Sequence, residues 1–173
     1  GGVEPNAPCS SPSISGDGRW ICFASLATNL VAGDTNAASD VFAWDRTTGQ
    51  IRLISVDGAG AQGDGPSTLA SLSGDGRFVA FESLATNLVA SDVNGTRDIF
   101  VRDRQAGTTV RVSVSSTGGE ANDHSQEAAV SADGRFIAFT SLASNLVAGD
   151  TNGHRDVFVH DRQTGMTVTF PRF

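Results

Sequence analysis

Short apolar runs separated by polar, glycine-rich stretches follow one another along the whole chain. The clearest runs are continuous and apolar at 20–23, 78–81 and 136–139, and an Asp-Gly pair stands just before each of them. Short apolar runs rich in β-branched and aromatic residues predict strands that are buried on both faces. Asp-Gly between such runs indicates a hairpin, because both residues tolerate positive φ. The pattern therefore predicts an all-β fold of short strands.

The pattern repeats with a fixed period. Arg19, Arg77 and Arg135 occupy matching points, so the period is 77 − 19 = 135 − 77 = 58 residues in a chain of 173. A period of this size is typical of solenoids, propellers and arrays. We predict a single repeat domain over 1–173, divided into units at about 1–58, 59–116 and 117–173.

Each unit contains four extended pieces. The first two flank the Asp-Gly turn, and the third lies at 40–45, 98–103 and 156–161. The fourth begins at Ile51, Val110 and Met166. Between the second and third pieces lies a connector whose length is unusual for a compact domain and often signals function. Its Leu26 and Leu30 spacing suits either one helical turn or an apolar-anchored loop.

Four antiparallel strands per repeat are the content of a β-propeller blade. Residues 15–23, Ser-Gly-Asp-Gly-Arg-Trp-Ile-Cys-Phe, together with 40–49, Asp-Val-Phe-Ala-Trp-Asp-Arg-Thr-Thr-Gly, resemble the TolB-type propeller repeat. That repeat reads Ser-Pro-Asp-Gly-Lys, an apolar-Ala-Phe strand, then Asp-Ile-Tyr-Val-x-Asp and a Thr-Gly turn. This chain differs by Gly16, Gly74 and Ala132 in place of Pro, by Phe in place of Tyr, and by a longer connector. The resemblance implies an all-β propeller with three four-stranded blades. It also implies a function as a binding or docking platform, or as an accessory domain of a peptidase.

Three blades do not close a ring, because propellers have about 4–8. Two copies would supply 2 × 3 = 6 blades, the number typical of the family resembled. We therefore predict a homodimer, isologous or head-to-tail, that completes a six-bladed ring. The alternative is that the chain is a fragment of a longer propeller or an engineered part of one.

The connector ends in an acidic loop of the form Asp-x-Asn-x-x-x-Asp in every repeat. Carboxylate and amide oxygens at such spacing suit Ca²⁺, which takes 6–8 oxygen ligands. The alternative is an Asx-turn in which the polar side chains bond their own backbone. Ala37 replaces the glycine of the other copies, so the first site would be the weakest. The candidate metal ligands are Asp34, Asn36, Asp40, Asp92, Asn94, Asp98, Asp150, Asn152 and Asp156.

Composition narrows the classes of partner. The formal net charge is −7, the pI is near 4.7, and every one of the 12 basic residues is Arg. A nucleic-acid partner is not expected because no basic face is visible. Membrane association is not expected because no apolar run approaches the ~18 residues that cross a bilayer. The acidic balance suits plain solubility, an extracellular or periplasmic protein, or a cation binder.

Both cysteines fall in the first repeat, at Cys9 and Cys22. A disulfide needs Cα atoms within about 7 Å of each other. In a tight hairpin Cys9 would lie about three residues out of register with Cys22, so we predict two free, buried thiols.

Nothing in the sequence predicts catalysis. His124, His154 and His160 all lie in the third repeat, do not recur, and are expected at the surface. The recurring Asp45-Arg46 pair and its copies are expected to serve turns and ion pairs between blades; the alternative is a grip for an anionic ligand. We predict a non-catalytic binding or scaffold module with a protein or glycan ligand, contacted through non-repeating residues in 57–66 and 115–124. The alternative is a carbohydrate- or peptide-processing enzyme with its site on the loop face or in the central channel.

Overall fold

The computed structural model describes residues 4–170; residues 1–3 and 171–173, which include the expected strand stop at Pro171, lie outside the described range. Over the described range there is no helix, and twelve strands form three sheets. The strands are β1 Cys9–Ile14, β2 Trp20–Ser25, β3 Asp40–Asp45, β4 Ile51–Leu53, β5 Ser67–Leu72, β6 Phe78–Ser83, β7 Asp98–Asp103, β8 Thr108–Arg111, β9 Ser125–Val130, β10 Phe136–Ser141, β11 Asp156–Asp161 and β12 Met166–Thr169. None of the described segments could span a membrane as a helix.

Each sheet is a four-stranded antiparallel meander in chain order, β1-β2-β3-β4 and its two copies. The registers repeat from sheet to sheet: Phe23 opposes Phe42 in the first and Phe81 opposes Phe100 in the second. These cross-strand rings stack with centroids 5.8 and 5.9 Å apart, which stabilises the centre of each sheet. The predicted all-β fold of three four-stranded units is confirmed.

The Asp-Gly hairpins differ in one detail from the expected turn. Only the glycine adopts positive φ, at 68° for Gly18 and 72° for Gly76. The Asp17 carboxylate instead accepts hydrogen bonds from Ser15 Oγ and the Arg19 amide at 2.6 and 2.9 Å. An Asp side chain that bonds backbone two residues onward makes an Asx-turn.

A β-bulge interrupts the first strand of every sheet. The register of β1 with β2 shifts between Ser10 and Ser13, and Ser11 has a φ of 52°. Leu69 and Glu127 occupy the same position with φ of 48° and 59°. A bulge increases local twist, so each first strand bends in the same way.

The core lies between sheets. One cluster joins Cys22 and Val41 of the first sheet to Phe81 and Phe100 of the second. Another joins Ile99 and Val101 of the second sheet to the third. The second sheet therefore packs one face against the first blade and the other face against the third blade.

The structure corrects several expectations. Cys9 pairs with Ser25, three residues from Cys22, and both thiols are free as predicted, but Cys9 is exposed. The fourth strand of the second blade begins at Thr108 rather than at Val110, and of the two alternatives for the connectors the loop is observed, without a helical turn over the described range. His160 was expected at the surface but is buried, with Nδ1 2.9 Å from Thr167 Oγ1.

The Asp-Arg pairs serve the turns as predicted, since Asp45 Oδ1 accepts the Thr47 amide at 3.0 Å, but their ion pairing differs from the prediction. Asp45 forms a bidentate pair with Arg19 of its own blade, at 2.7 and 3.0 Å. The adjacent arginine instead stacks on the blade before it: Arg104 lies over Trp20 and Arg162 over Phe78. Contact between blades here is a cation–π stack, because the carboxylate is already satisfied by the nearer guanidinium.

Candidate functional site

The acidic loops lie immediately before the third strand of each blade, so their last carboxylate is the first residue of that strand. In the first loop, Asn36 Oδ1 accepts the Ala38 amide at 2.8 Å, and its Nδ2 donates to the Gly63 carbonyl at 2.9 Å. Asn94 Oδ1 and Asn152 Oδ1 accept the amides two residues onward at the same distance. The three asparagines therefore form Asx-turns, and the residue after each turn's Asn adopts positive φ in all copies: 55° at Ala37, 64° at Gly95 and 66° at Gly153.

A glutamine reaches the first acidic loop from the segment that joins the first two blades. Gln62 Nε2 lies 2.8 Å from both Asp34 Oδ1 and Asp40 Oδ2. Its Oε1 accepts the Thr35 amide at 3.1 Å. Asp40 is buried, and its other oxygen accepts Ser55 Oγ at 2.6 Å. The amide group of Gln62 thus lies between the two carboxylates.

An arginine takes that place in the second loop. Arg111 Nη1 contacts Glu120 Oε1 and lies 3.5 Å from Asp92 Oδ1 and 3.6 Å from Asp98 Oδ2. The three carboxylates come within 4.8 Å of one another. Glu120 is the counterpart of Gln62, and its Oε1 accepts the Val93 amide at 3.1 Å. The blade-joining segment therefore completes both loops in the same way.

Burial sets the electrostatics of the second loop. Desolvation, together with the charge of the nearby Asp98 carboxylate, raises the pKa of Asp92 to about 6, although the Arg111 guanidinium opposes the shift. Desolvation likewise raises the pKa of Asp98, opposed by hydrogen bonds from Ser113 and Asn94. Charged carboxylates crowded in a buried loop need a cation or a proton. Arg111 supplies the cation here.

The third loop repeats the acidic residues with a different neighbour. Asp150 is buried, and Asn152 Nδ2 lies 3.2 Å from Asp156 Oδ2. Thr169 occupies the position of Arg111, and its Oγ1 donates to the Val157 carbonyl at 3.0 Å. Leu53 occupies that position in the first blade. The structure therefore brings together the predicted Asp and Asn residues within each loop, with Gln62 Nε2 among them in the first loop and Arg111 Nη1 in the second.

Sequence reasoning missed Gln62, Glu120 and Arg111. A signal for two of them existed, because Glu4, Gln62 and Glu120 recur with the 58-residue period. The positions that match Arg111 in the other blades are not arginine, and only the pairing of β8 with β7 brings Arg111 to the loop. The asparagines of the connectors hydrogen-bond backbone of the blade-joining segments: Asn29 Nδ2 donates to the Glu4 carbonyl at 2.8 Å.

The calcium prediction stays a prediction. Carboxylate oxygens within 4.8 Å of one another suit a hard cation. Two observations limit the affinity for calcium that these loops can have. Each Asn oxygen already accepts a backbone amide, and a calcium ion would have to displace Gln62 Nε2 or Arg111 Nη1.

No protein-family model matches the sequence, and no curated protein matches it. Solved structures are similar in fold. A protein assigned to TolB from Agrobacterium tumefaciens superposes with a TM-score of 0.58 at 16% identity, over 97% of this chain and 49% of that chain. The β-propeller domain of the Trilobed protease from Pyrococcus furiosus, described as having an open velcro topology, gives 0.60 at 15% identity, over 96% and 44%. The acylaminoacyl peptidase of Pyrococcus horikoshii gives 0.55 at 14% identity, over 96% and 25%.

These likenesses establish a TolB-like β-propeller fold with three blades, as the repeat pattern implied. The chain spans about half, or less, of each of these structures.

Proposed function

We propose that the chain is a non-catalytic binding and scaffold module that closes into a six-bladed ring with a second copy of itself. The observation that carries the proposal is the repetition of one blade-to-blade interface inside the chain. The same atoms serve the first and the second interface, while the equivalent surfaces at the two ends remain exposed in the single chain.

The backbone hydrogen bonds between blades follow one rule. Gly16 N donates to the Gly74 carbonyl at 2.8 Å, and Gly74 N donates to the Ala132 carbonyl at 2.9 Å. By the same rule, Ala132 N would donate to the Gly16 carbonyl of the next copy. Such an interface is head-to-tail, and head-to-tail contacts form closed rings when the rotation returns to its start.

The outer face of the third blade shows what the next blade would cover. Ile54 and Val112 are 2% and 1% exposed, but Phe170 at the matching position is 64% exposed. Val157 is 40% exposed, although its counterpart Ile99 is fully buried. Uncovered sheet faces and edges favour association. The exposed apolar residues of this face match in position those that the chain buries twice.

The first blade offers the complementary surface. Arg46 is the counterpart of Arg104 and Arg162, which cover Trp20 and Phe78. Phe136, the third aromatic residue of this series, is 40% exposed. In the ring, Arg46 of the next copy would cover Phe136. Two copies give 2 × 3 = 6 blades, within the range of about 4–8 that closes a propeller.

Light scattering on the chain tests the ring. We expect twice the chain mass of 17.9 kDa. Val157→Arg should give a folded monomer with unchanged circular dichroism, because it places a charge on the face of the third blade that the second copy would cover. Val93→Arg is the matched control, since Val93 is 82% exposed in a loop. A wild-type chain that is a stable monomer would overturn the ring and favour a fragment of a longer propeller.

Ligand binding belongs to the same proposal. The blade-joining segments 57–66 and 115–124 contact the connectors, as when Asp64 accepts the Thr86 amide at 2.7 Å. Their sequences differ between repeats, so they can present a surface specific to one protein or glycan ligand. The acidic composition supports an extracellular or periplasmic location, where such a module would meet its ligand.

Calcium at the acidic loops is the remaining part of the proposal. The carboxylates of each loop would supply the oxygens, and the affinity would be modest because Gln62 and Arg111 compete for the centre. Calorimetric titration with calcium tests it directly. The absence of both heat and any change of melting temperature on adding EDTA would contradict a metal role.

A further inference from the structure

A cleft of about 410 Å³ between the first and second blades collects positive charge in an acidic protein. Four arginines line it, against two carboxylates, Asp45 and Asp75. The arginines are Arg19, Arg52, Arg77 and Arg104. The cleft lies within one chain, so it is independent of ring closure.

Two of the four arginines are neutralised by ion pairs. Arg19 pairs with Asp45 at 2.7 Å, and Arg77 pairs with Asp103 at 2.6 Å. Asp75 accepts Ser73 Oγ and the Arg77 amide, at 2.6 and 2.9 Å. These groups form the walls of the cleft and leave little charge for a ligand.

The other two arginines have no ion pair among the described residues. Arg104 lies over Trp20, with Cζ 3.4 Å from the ring centroid, and Nη1 donates to the Gly76 carbonyl. Its Nε is buried without a hydrogen-bond partner. Arg52 makes only a long contact of 3.5 Å with Gln50 Oε1. Burial lowers the pKa of Arg104, and the charge of Arg52 lowers it further, so the two cations repel each other across the cleft.

We propose that this cleft binds a phosphate or sulfate group, held between Arg52 of the first blade and Arg104 of the second. A tetrahedral oxyanion would offset the repulsion between two guanidinium groups, which bind such anions through paired N–H donors. Gln50, Gln105 and Thr48 line the same cleft and supply neutral donors. The Trp20 ring would hold Arg104 in place while it binds.

The repeat shows which residue makes the site. Arg162 repeats the stack of Arg104 and also has a buried Nε without a hydrogen-bond partner. The counterpart of Arg52 in the second blade, however, is Val110, and Thr48 is replaced by Ala106. We therefore expect one site per chain, between the first two blades.

Calorimetric titration with inorganic phosphate, and separately with sulfate, tests the site at constant ionic strength in the presence of EDTA. One equivalent should bind per chain. Arg52→Val should weaken binding at least tenfold while the fold persists, because valine occupies this position in the other two blades. Val110→Arg should add a second equivalent. Arg155→Val removes the same charge from an exposed site in the third blade and should change nothing.

Three outcomes would overturn the proposal. Equal affinity in wild type and Arg52→Val would show that phosphate responds only to surface charge. An unchanged stoichiometry for folded Val110→Arg would contradict the role of this position. Tighter binding of acetate than of phosphate would contradict the tetrahedral oxyanion.

Discussion

Arg104 of the second blade lies with its Cζ 3.4 Å from the centroid of the Trp20 ring of the first blade, and this contact joins the two blades. Gly76 also lies against this ring: a Cβ built there would come within 2.5 Å of Trp20 Cδ1. Trp20 therefore contacts one charged group and one bare backbone position, both from the second blade. Arg162, Gly134 and Phe78 repeat the arrangement at the next interface.

Gly76→Ala should destabilise the chain by more than the strain of placing alanine at a positive φ. A side chain at φ 72° costs about 1–2 kcal/mol, and the contact with Trp20 should raise the total loss of unfolding free energy above about 2 kcal/mol. Gly49→Ala is the control, since Gly49 has a φ of 73° and nothing within 4 Å of the added Cβ. Urea unfolding measures both. Equal losses would show that the interface tolerates the methyl group.

Stability should fall as the pH drops from about 4 to about 2. The bidentate hydrogen bond from Arg77 lowers the pKa of Asp103 to about 2, while an unfolded Asp titrates near 3.9. A lowered folded-state pKa contributes stability that is present above the unfolded pKa and lost as pH falls through the folded one. Asp103→Asn should reduce this acid-side loss without abolishing it, because Asp45 and Asp161 keep their own arginines.

Melting temperatures from pH 7 to pH 2 measure the effect. Asp123→Asn is the control variant, because Asp123 forms no ion pair within residues 4–170. A profile of Asp103→Asn that is parallel to wild type would contradict the assignment.

Arg111→Leu should make the second acidic loop dependent on a cation. Leucine is the natural residue at the matching position 53, but here it would leave three carboxylates within 4.8 Å without their guanidinium. Breaking a buried ion pair costs about 3–5 kcal/mol. Calcium should then raise the melting temperature of the variant more than that of wild type, since the competing nitrogen is gone. Leu53→Ala is the control: it removes no positive charge from an acidic loop, so calcium should raise its melting temperature no more than that of wild type.

The two thiols should differ in reactivity, and Cys9 should report on assembly. Burial raises the pKa of Cys22 to about 12, so it should not react with a disulfide reagent at pH 8 in the native protein. Cys9 is exposed in the single chain, but its counterparts Ser67 and Ser125 are fully buried against the preceding blade. Ring closure should therefore slow the labelling of Cys9, and dilution to the monomer should restore it.

A Cys22→Ala variant isolates the Cys9 signal. Labelling of Cys9 that is fast at every protein concentration would contradict coverage by a second copy. Labelling of Cys22 in the native state would contradict its burial.

Local sequence patterns predicted much of the fold. The bounds of β3, β7 and β11 are those that the alternating Asp-to-Asp pieces predict, and the hairpins lie at the Asp-Gly pairs. The bulge at Ser11 and the exposure of Cys9 could not be read in this way. The bulge depends on how the first strand bends within its sheet, and the exposure depends on which blade face is covered.

The sequence by itself determined the period, the strand content and the blade, because hydrogen-bonded neighbours within a blade lie close along the chain and the turns between them have local signatures. Only the tertiary structure decided what lies inside the acidic loops. Gln62 comes from 28 residues beyond Asp34, and Arg111 from a strand that pairs with β7. Stacking of blades also joined Arg104 to Trp20 and placed Arg52 beside them. Such partners are chosen by contact between faces of different sheets, which a single strand's pattern of apolar and polar positions does not encode.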